Sequence, residues 1–206
     1  MPKRTLVDFA RKNGFALSVP QADTLMRLAQ LVWQKKDVLN LTSCRDIEEV
    51  GTRHICDGLQ GAAQLAACAS KRGWNQFSVL DAGAGAGFIG ITMAAALPQA
   101  QVKLVESINK RCTFMNWVIL MLGLSNVEVV NMRLGEKPQQ AQFVTERAMG
   151  QLPDIFDICM DAVAPGGLFM AYQGETPLLQ GLTASAIEPY RLPSDEKTRH
   201  LVLFEK

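Results

Sequence analysis

The sequence predicts an α/β fold in which a parallel sheet, covered by helices on both faces, follows a helical N-terminal extension. Three observations carry this expectation. Residues 1–76 hold apolar side chains at helical spacing. From Phe77 onward short β-type runs alternate with helical ones, an order that folds into a parallel sheet. A glycine-rich turn follows the first of these runs, where a doubly wound sheet opens its ligand crevice. The 206 residues, 48% hydrophobic and 20% charged, allow one sizeable core plus a small addition and exclude wholesale disorder. We expect the helical extension over 1–76 and the sheet domain over 77–206.

Taken in order, Leu6, Phe9 and Ala10 suggest a short helix that ends at Gly14. Leu25, Leu28, Ala29 and Val32 recur at i, i+3, i+4 and i+7 after Pro20, which makes one apolar stripe of a second helix. An Ala-rich third helix is expected over 57–71, with Gly73 behind it. Strands are expected at 78–81, 102–106, 127–130, 143–145, 168–172 and 201–204. Lys110 to Leu122, with Phe114, Val118 and Met121 on one face and Gly123 at its end, reads as a crossover helix. No helical run separates 188–193 from 201–204, so these two are expected to pair as an antiparallel edge of a seven-strand sheet.

Composition removes several function classes. Lys and Arg number 21 against 20 for Asp and Glu, so the chain has no global attraction to nucleic acid or membrane, and an anionic partner must be met by a local patch. The five cysteines, at 44, 56, 68, 112 and 159, form no CxxC pair, and two histidines are too few for most His-rich metal sites. No metal is expected, and the thiols read as reduced and mostly buried in a cytoplasmic protein. The basic start, Met1 to Asp8, has no apolar run behind it and so lacks a secretory signal. No charge occurs between Asp81 and Lys103, but Gly83, Gly85, Gly87, Gly90 and Pro98 break that run; a glycine loop and a buried helix fit it better than a membrane span. No GxSxG elbow supplies an acyl-transfer nucleophile.

The most informative segment is Val79-Leu80-Asp81-Ala82-Gly83-Ala84-Gly85-Ala86-Gly87-Phe88: an apolar strand, an acid at its end, then alternating glycines that open a helix. Glycines permit positive φ and close approach of a ligand, and the helix start presents free N–H groups. Three ligands compete for it. A phosphate loop GxxxxGK[ST] is nearly matched from Gly85 to Thr92, but Ile91 stands in the lysine position. A dinucleotide GxGxxG is matched by Gly85 to Gly90, with Glu106 for a ribose hydroxyl, yet no second domain is evident for a hydride acceptor. The third is S-adenosylmethionine, whose cationic methionine end suits Asp81, a carboxylate that would repel a pyrophosphate; Glu106 then accepts hydrogen bonds from both ribose hydroxyls. The bland alternative is that Asp81 caps the turn and Glu106 is a solvated strand end.

From Trp33 to Leu203 the chain resembles the bacterial small-subunit rRNA guanine-N7 methyltransferases, the glucose-inhibited division protein B family. Asn40-Leu41-Thr42 and Arg53-His54-Ile55-Cys56-Asp57-Gly58-Leu59 are similar to its NLT and RHxxDSL signatures, and the glycine loop, Glu106-Ser107 with Lys110-Arg111, the Arg133 segment, Arg147-Ala148 and Arg199-His200-Leu201-Val202 follow in the family's order. The resemblance implies a class I, Rossmann-like S-adenosylmethionine-dependent methyltransferase sheet and methylation of N7 of one guanine in 16S rRNA of the small ribosomal subunit. It implies cofactor contacts at Gly83, Phe88, Glu106, Leu134, Gly135 and Arg147, beside Asp81 and Gly85 from the loop itself. N7 carries a lone pair and no proton, so the missing catalytic dyad is no objection and the catalytic residues stay unassigned. The chain departs from the family at Ile89, Gly58, Gly135 and Gln173.

Lys110, Arg111, Arg133, Arg147, Lys197 and Arg199 come from separate segments and are expected to converge on the carboxyl edge of the sheet as the RNA-facing patch; the alternative is six ordinary surface charges. His54 and Asp57, at i and i+3, could face one another, or His54 packs the extension through a hydrogen bond. We expect a monomer that engages 16S rRNA or the small subunit and no membrane. The rival readings are a methyltransferase of this fold with another substrate and a non-catalytic cofactor- or RNA-binding relative.

Overall fold

The computed structural model describes residues 3–193 and 195–206; Met1 and Pro2 of the basic start considered above lie outside them. The N-terminal part is helical: α1 (Lys3–Lys12), α2 (Val19–Leu39), a short α3 (Ile47–Glu49), a π-helical turn (Val50–Ile55) and α4 (Cys56–Lys71). Ser18 opens α2 with a capping box, its hydroxyl accepting from the Gln21 N–H and its own N–H donating to Gln21 Oε1. Gln21 Nε2 then donates to the Ala96 carbonyl at 2.8 Å, which ties the extension to the sheet domain. At its other end α2 stops on Asn40, whose left-handed backbone (φ 50°) turns the chain into the Leu41-Thr42 segment.

The sheet follows, with β1 (Phe77–Ala82), α5 (Phe88–Ala96), β2 (Ala100–Glu106), α6 (Asn109–Leu122), β3 (Val127–Asn131), β4 (Ala141–Glu146), α7 (Leu152–Asp161), β5 (Val163–Gln173), β6 (Ala186–Arg191) and β7 (Thr198–Glu205). The seven strands lie in the order β3-β2-β1-β4-β5-β7-β6. The pairs from β3 through β5 are parallel, and β7 runs antiparallel to both β5 and β6. The uncharged run after Asp81 is a glycine turn plus α5, a helix buried along its whole length.

The 188–193 and 201–204 runs pair as the expected antiparallel edge, with β6 outermost and β7 between it and β5. Leu201, Val202, Leu203 and Phe204 are all buried, a continuous apolar run suited to an interior strand. Helix α7, to which the sequence reading assigns no bounds, fills the β4 to β5 connection. Its Leu152, Ile155, Phe156 and Cys159 recur at i, i+3, i+4 and i+7, Leu152 and Cys159 being buried and Ile155 and Phe156 packed against the same cluster. Strand β5 begins at Val163 rather than 168, through an Ala-Pro-Gly-Gly stretch that composition reads as a turn.

Two apolar clusters lie on the two faces of the sheet. One joins the extension to β-strand side chains, with Leu6, Leu25, Leu59 and Leu65 in the same cluster as Phe143, Met170 and Tyr172. The other sets α7 against Val144, Phe169 and Phe204. Helix α4 lies so close to α5 that a Cβ at Gly58 would stand 2.6 Å from Thr92 Cβ. That contact accounts for glycine where the family has serine.

Candidate functional site

The carboxyl ends of β1 and β2 build the first half of the site. Gly83, Gly85 and Gly87 have φ of 64°, 61° and 78°, left-handed values that let the loop pass under a ligand without side chains in the way. Asp81, 2% exposed, holds the start of α5 through the Gly90 N–H, which donates to Oδ2 at 2.9 Å. Burial pushes its carboxyl up to about 7, the nearby Arg147 charge opposing and Glu106 adding to the rise. Glu106 is buried rather than a solvated strand end. Its Oε2 accepts from the Gly85 N–H at 2.9 Å, its Oε1 from the Ile108 N–H at 2.8 Å, and Arg111 Nη1 stands 3.5 Å from Oε2. Each carboxylate oxygen keeps further acceptor capacity.

The helical extension closes this half from above. Asn40, Leu41, Thr42, Arg53 and His54 share a cleft of about 280 Å³ with Asp81, Gly83, Gly85, Phe88, Arg111 and Arg147. The His54 ring lies flat on Phe88, centroids 4.1 Å apart, and Nε2 pairs with Thr42 Oγ1 at 2.8 Å. Burial lowers its pKa to about 3, with Arg147, Arg53 and Arg199 adding to the effect, so the imidazole is neutral at physiological pH. Beyond Gly83 an adjoining hollow is bordered by Glu106, Ser107, Met132, Arg133, Leu134 and Met149. Gly135 follows at φ 87°, where a Cβ would lie 2.6 Å from Ile158 Cδ1; both facts favour glycine over the acid usual in the family.

The second half gathers around Asp57. His54 and Asp57 do not pair with each other; Asp57 accepts from Arg147 Nη1 at 2.9 Å and from the Tyr190 hydroxyl at 2.8 Å, while Arg199 Nη1 stands 4.0 Å away. The Tyr172 hydroxyl donates to the Asp57 carbonyl at 3.1 Å. These groups border a second cleft of about 350 Å³, which shares Arg53, His54, Arg147 and Ala148 with the first. Gln173 lines it too, with Oε1 accepting from the Leu178 N–H and Nε2 donating to the Tyr172 carbonyl. Ile89, another departure, is buried in the core.

All six basic residues singled out in the sequence lie toward the carboxyl edge, because β7 runs antiparallel and its start pairs with the end of β5, His200 opposite Gln173. They are not equivalent. Arg147 is tied to Asp57, Arg111 leans on Glu106, and Arg199 donates to Asp195 at 2.9 Å. Lys197 pairs with Glu175 at the surface, and Lys110 and Arg133 are exposed. Tyr190, Tyr172 and Glu146 drew no attention in the sequence: Asp57 lies 133 and 115 residues from the two tyrosines, and no spacing rule reaches across such distances.

The model of the rRNA small subunit methyltransferase G (GidB) family matches residues 21–188. The chain belongs to this family. Two relatives named ribosomal RNA small subunit methyltransferase G are similar along nearly the whole length. That of Chromobacterium violaceum is 32% identical over 204 residues, covering 93% of this chain and 94% of the relative. That of Staphylococcus carnosus is 30% identical over 220 residues, covering 98% and 89%. Among solved structures, an RNA methyltransferase from Salinibacter ruber in complex with S-adenosyl-L-homocysteine superposes with a TM-score of 0.54 at 15% identity, over 70% of this chain and 89% of that one. The fold is that of the class I methyltransferases.

As a GidB-family enzyme the chain is an S-adenosylmethionine-dependent methyltransferase. The site suits that cofactor on its own terms. A Cβ at Gly83 would strike the Met149 side chain, so the loop is a cradle that only glycine leaves open. Asp81 borders the glycine-loop cleft with a carboxyl group, and Glu106 is an acceptor held in place by two backbone N–H groups.

Proposed function

We propose that this GidB-family chain methylates N7 of a guanine in 16S rRNA of the small ribosomal subunit. The observation that carries the reading is the meeting of the two clefts at Arg53, His54, Arg147 and Ala148: the glycine-loop cleft, which offers the Asp81 carboxylate to a cationic cofactor, opens directly onto one bordered by Arg53, Arg147 and Arg199, which an anionic substrate could meet. When bound, S-adenosylmethionine supplies an electrophilic methyl group on sulfur. Asp81 holds its cationic end, Glu106 the ribose, and Gly83, Gly85, Phe88, Leu134 and Gly135 line its path. Arg147, anchored by Asp57, orients rather than neutralises, since most of its charge is spent on that carboxylate. Lys110, Arg133 and Lys197 meet RNA phosphates at the rim, with Arg111 and Arg199 behind them.

No residue is required to remove a proton, because guanine N7 attacks with its own lone pair; the protein's part is alignment and exclusion of water. The neutral His54 ring packed on Phe88 walls off the junction of the clefts without adding a second cation beside the cofactor. We read the enzyme as a cytoplasmic monomer that needs no membrane. Five buried free thiols fit a reducing compartment, and no described helix is long and apolar enough to cross a membrane.

The test is transfer of labelled methyl from S-adenosylmethionine to small subunits purified from cells lacking this protein. Label recovered as 7-methylguanosine in 16S rRNA is the expected result. No label in subunits or naked rRNA, with cofactor binding confirmed in the same preparation, would overturn the substrate assignment.

A further inference from the structure

Glu146 is a buried ionisable group to which neither cofactor binding nor phosphate contact assigns a task. It ends β4, opposite Ala82 of β1 and one residue before Arg147, and it is 1% exposed. Oε2 accepts a hydrogen bond of 3.3 Å from the Met149 N–H, whereas Oε1 has no partner. The residue borders the second cleft and directly precedes Arg147 and Ala148, which border both clefts. A buried carboxyl oxygen without a donor is costly, and native folds keep one where a ligand or water brings the donor.

We propose that Glu146 reads the target guanine, its Oε1 accepting from the N1–H and N2–H groups of the Watson–Crick edge while N7 faces the methyl group. The assignment rests on the guanine-N7 reading above. It explains discrimination. Guanine presents two adjacent donors on that edge, whereas adenine presents a lone pair at N1, which a carboxylate repels. It also supplies catalysis: as the bond from N7 to the methyl carbon forms and the carbon–sulfur bond breaks, sulfur keeps the bonding pair and the positive charge passes into the purine. No proton has to leave. N1–H and N2–H become stronger donors as the charge arrives, so a carboxylate on that edge binds the transition state more tightly than the ground state.

The surroundings fit this use. Asp81 across the strand pair, Arg147 beside it and Cys159 of α7 are the ionisable groups that act on Glu146. Burial pushes its carboxyl up to about 7, Asp81 adding to the rise, so donors from a base draw it into the ionised form.

The experiment compares Glu146→Gln with the wild type for single-turnover methylation of unmethylated small subunits and for binding of S-adenosylhomocysteine. Cofactor affinity also reports on folding here, since Met149, whose N–H Glu146 accepts, packs at Gly83. We expect a rate lower by on the order of 100-fold with cofactor affinity changed less than about twofold. An unchanged rate with intact affinity would overturn the assignment, and so would lost affinity, which would place Glu146 in the cofactor cleft alone. If the glutamine variant does not fold, Glu146→Asp carries the same comparison: lowered rate with retained affinity supports the assignment, and wild-type rate rejects it. A wild type that makes no 7-methylguanosine removes the guanine reading and this proposal together; an active wild type with an equally active variant removes this proposal alone.

Discussion

The two halves of the carboxyl edge are built from different kinds of contact. The glycine-loop half is local: Asp81 bonds to Gly90 nine residues on, and Glu106 to Gly85 and Ile108, 21 and two residues away. The arginine-lined half depends on Asp57, whose partners Arg147 and Tyr190 lie 90 and 133 residues along the chain. The hydrogen bonds that shape the glycine loop lie within the sheet domain, although the extension roofs its cleft, whereas the second half is held by contacts between the extension and the sheet. The Asp57 contacts that hold the extension on the sheet therefore also shape the second cleft.

Breaking the long-range half gives the largest expected effect. Asp57→Ala leaves the Arg147 guanidinium and the Tyr190 hydroxyl without their acceptor in a buried setting, which costs about 3–5 kcal/mol. Urea denaturation measures it, and a loss below about 1 kcal/mol would show that the two halves are held together by apolar packing instead. Breaking the local half costs less stability and more cofactor affinity. Gly83→Ala forces a Cβ onto a residue at φ 64° and against Met149, at roughly 1–2 kcal/mol of backbone strain, and calorimetry should show S-adenosylmethionine binding weakened at least tenfold, roughly the 1.4 kcal/mol that accompanies each decade.

A pH series sharpens the comparison. Burial raises Asp81 to about 7, so the free protein carries it protonated below that pH, and a bound cation favours the ionised form. Cofactor affinity therefore falls as pH drops below about 7, by up to roughly tenfold per unit for one linked proton. Asp81→Asn should remove most of that slope; a slope that survives the substitution assigns it to another group. The smallest effect is expected at the rim. Lys197→Ala, at an exposed pair with Glu175, should leave stability within about 0.5 kcal/mol and reduce the salt slope of RNA binding by about one, and an unchanged slope would take Lys197 out of the RNA contact.

The same contrast governs what the sequence makes legible. The strand ending in Asp81, its glycine turn and Glu106 lie within one short stretch whose spacing has physical meaning; Asp81 and the turn border one cleft and Glu106 the hollow that adjoins it at Gly83. The helices of the extension show the stripe that the core demands, Leu25, Leu28, Ala29 and Val32 all being buried. Helix α7 carries a stripe that the sequence does show, Leu152, Ile155, Phe156 and Cys159 at i, i+3, i+4 and i+7, whereas the start of β5 stays hidden because Pro165-Gly166-Gly167 has the composition of a turn. The π-helical turn that points His54 at Phe88 has no sequence signature, and Asp57 as a hub is invisible because its partners are brought together only by tertiary packing. Glu146 reads in sequence as one more strand-end acid; its burial and its unpartnered oxygen are properties of the fold.

Methylation of one guanine at N7, proposed for the place where the two halves meet, leaves a product that chemistry can locate. Borohydride reduction followed by aniline cleavage severs RNA at 7-methylguanosine, and primer extension then locates every such position in 16S rRNA. Small subunits from cells lacking this protein, treated with the purified enzyme and S-adenosylmethionine, should gain a single cleavage position that untreated subunits lack. No new position, or cleavage at many guanines, would overturn the proposed reaction.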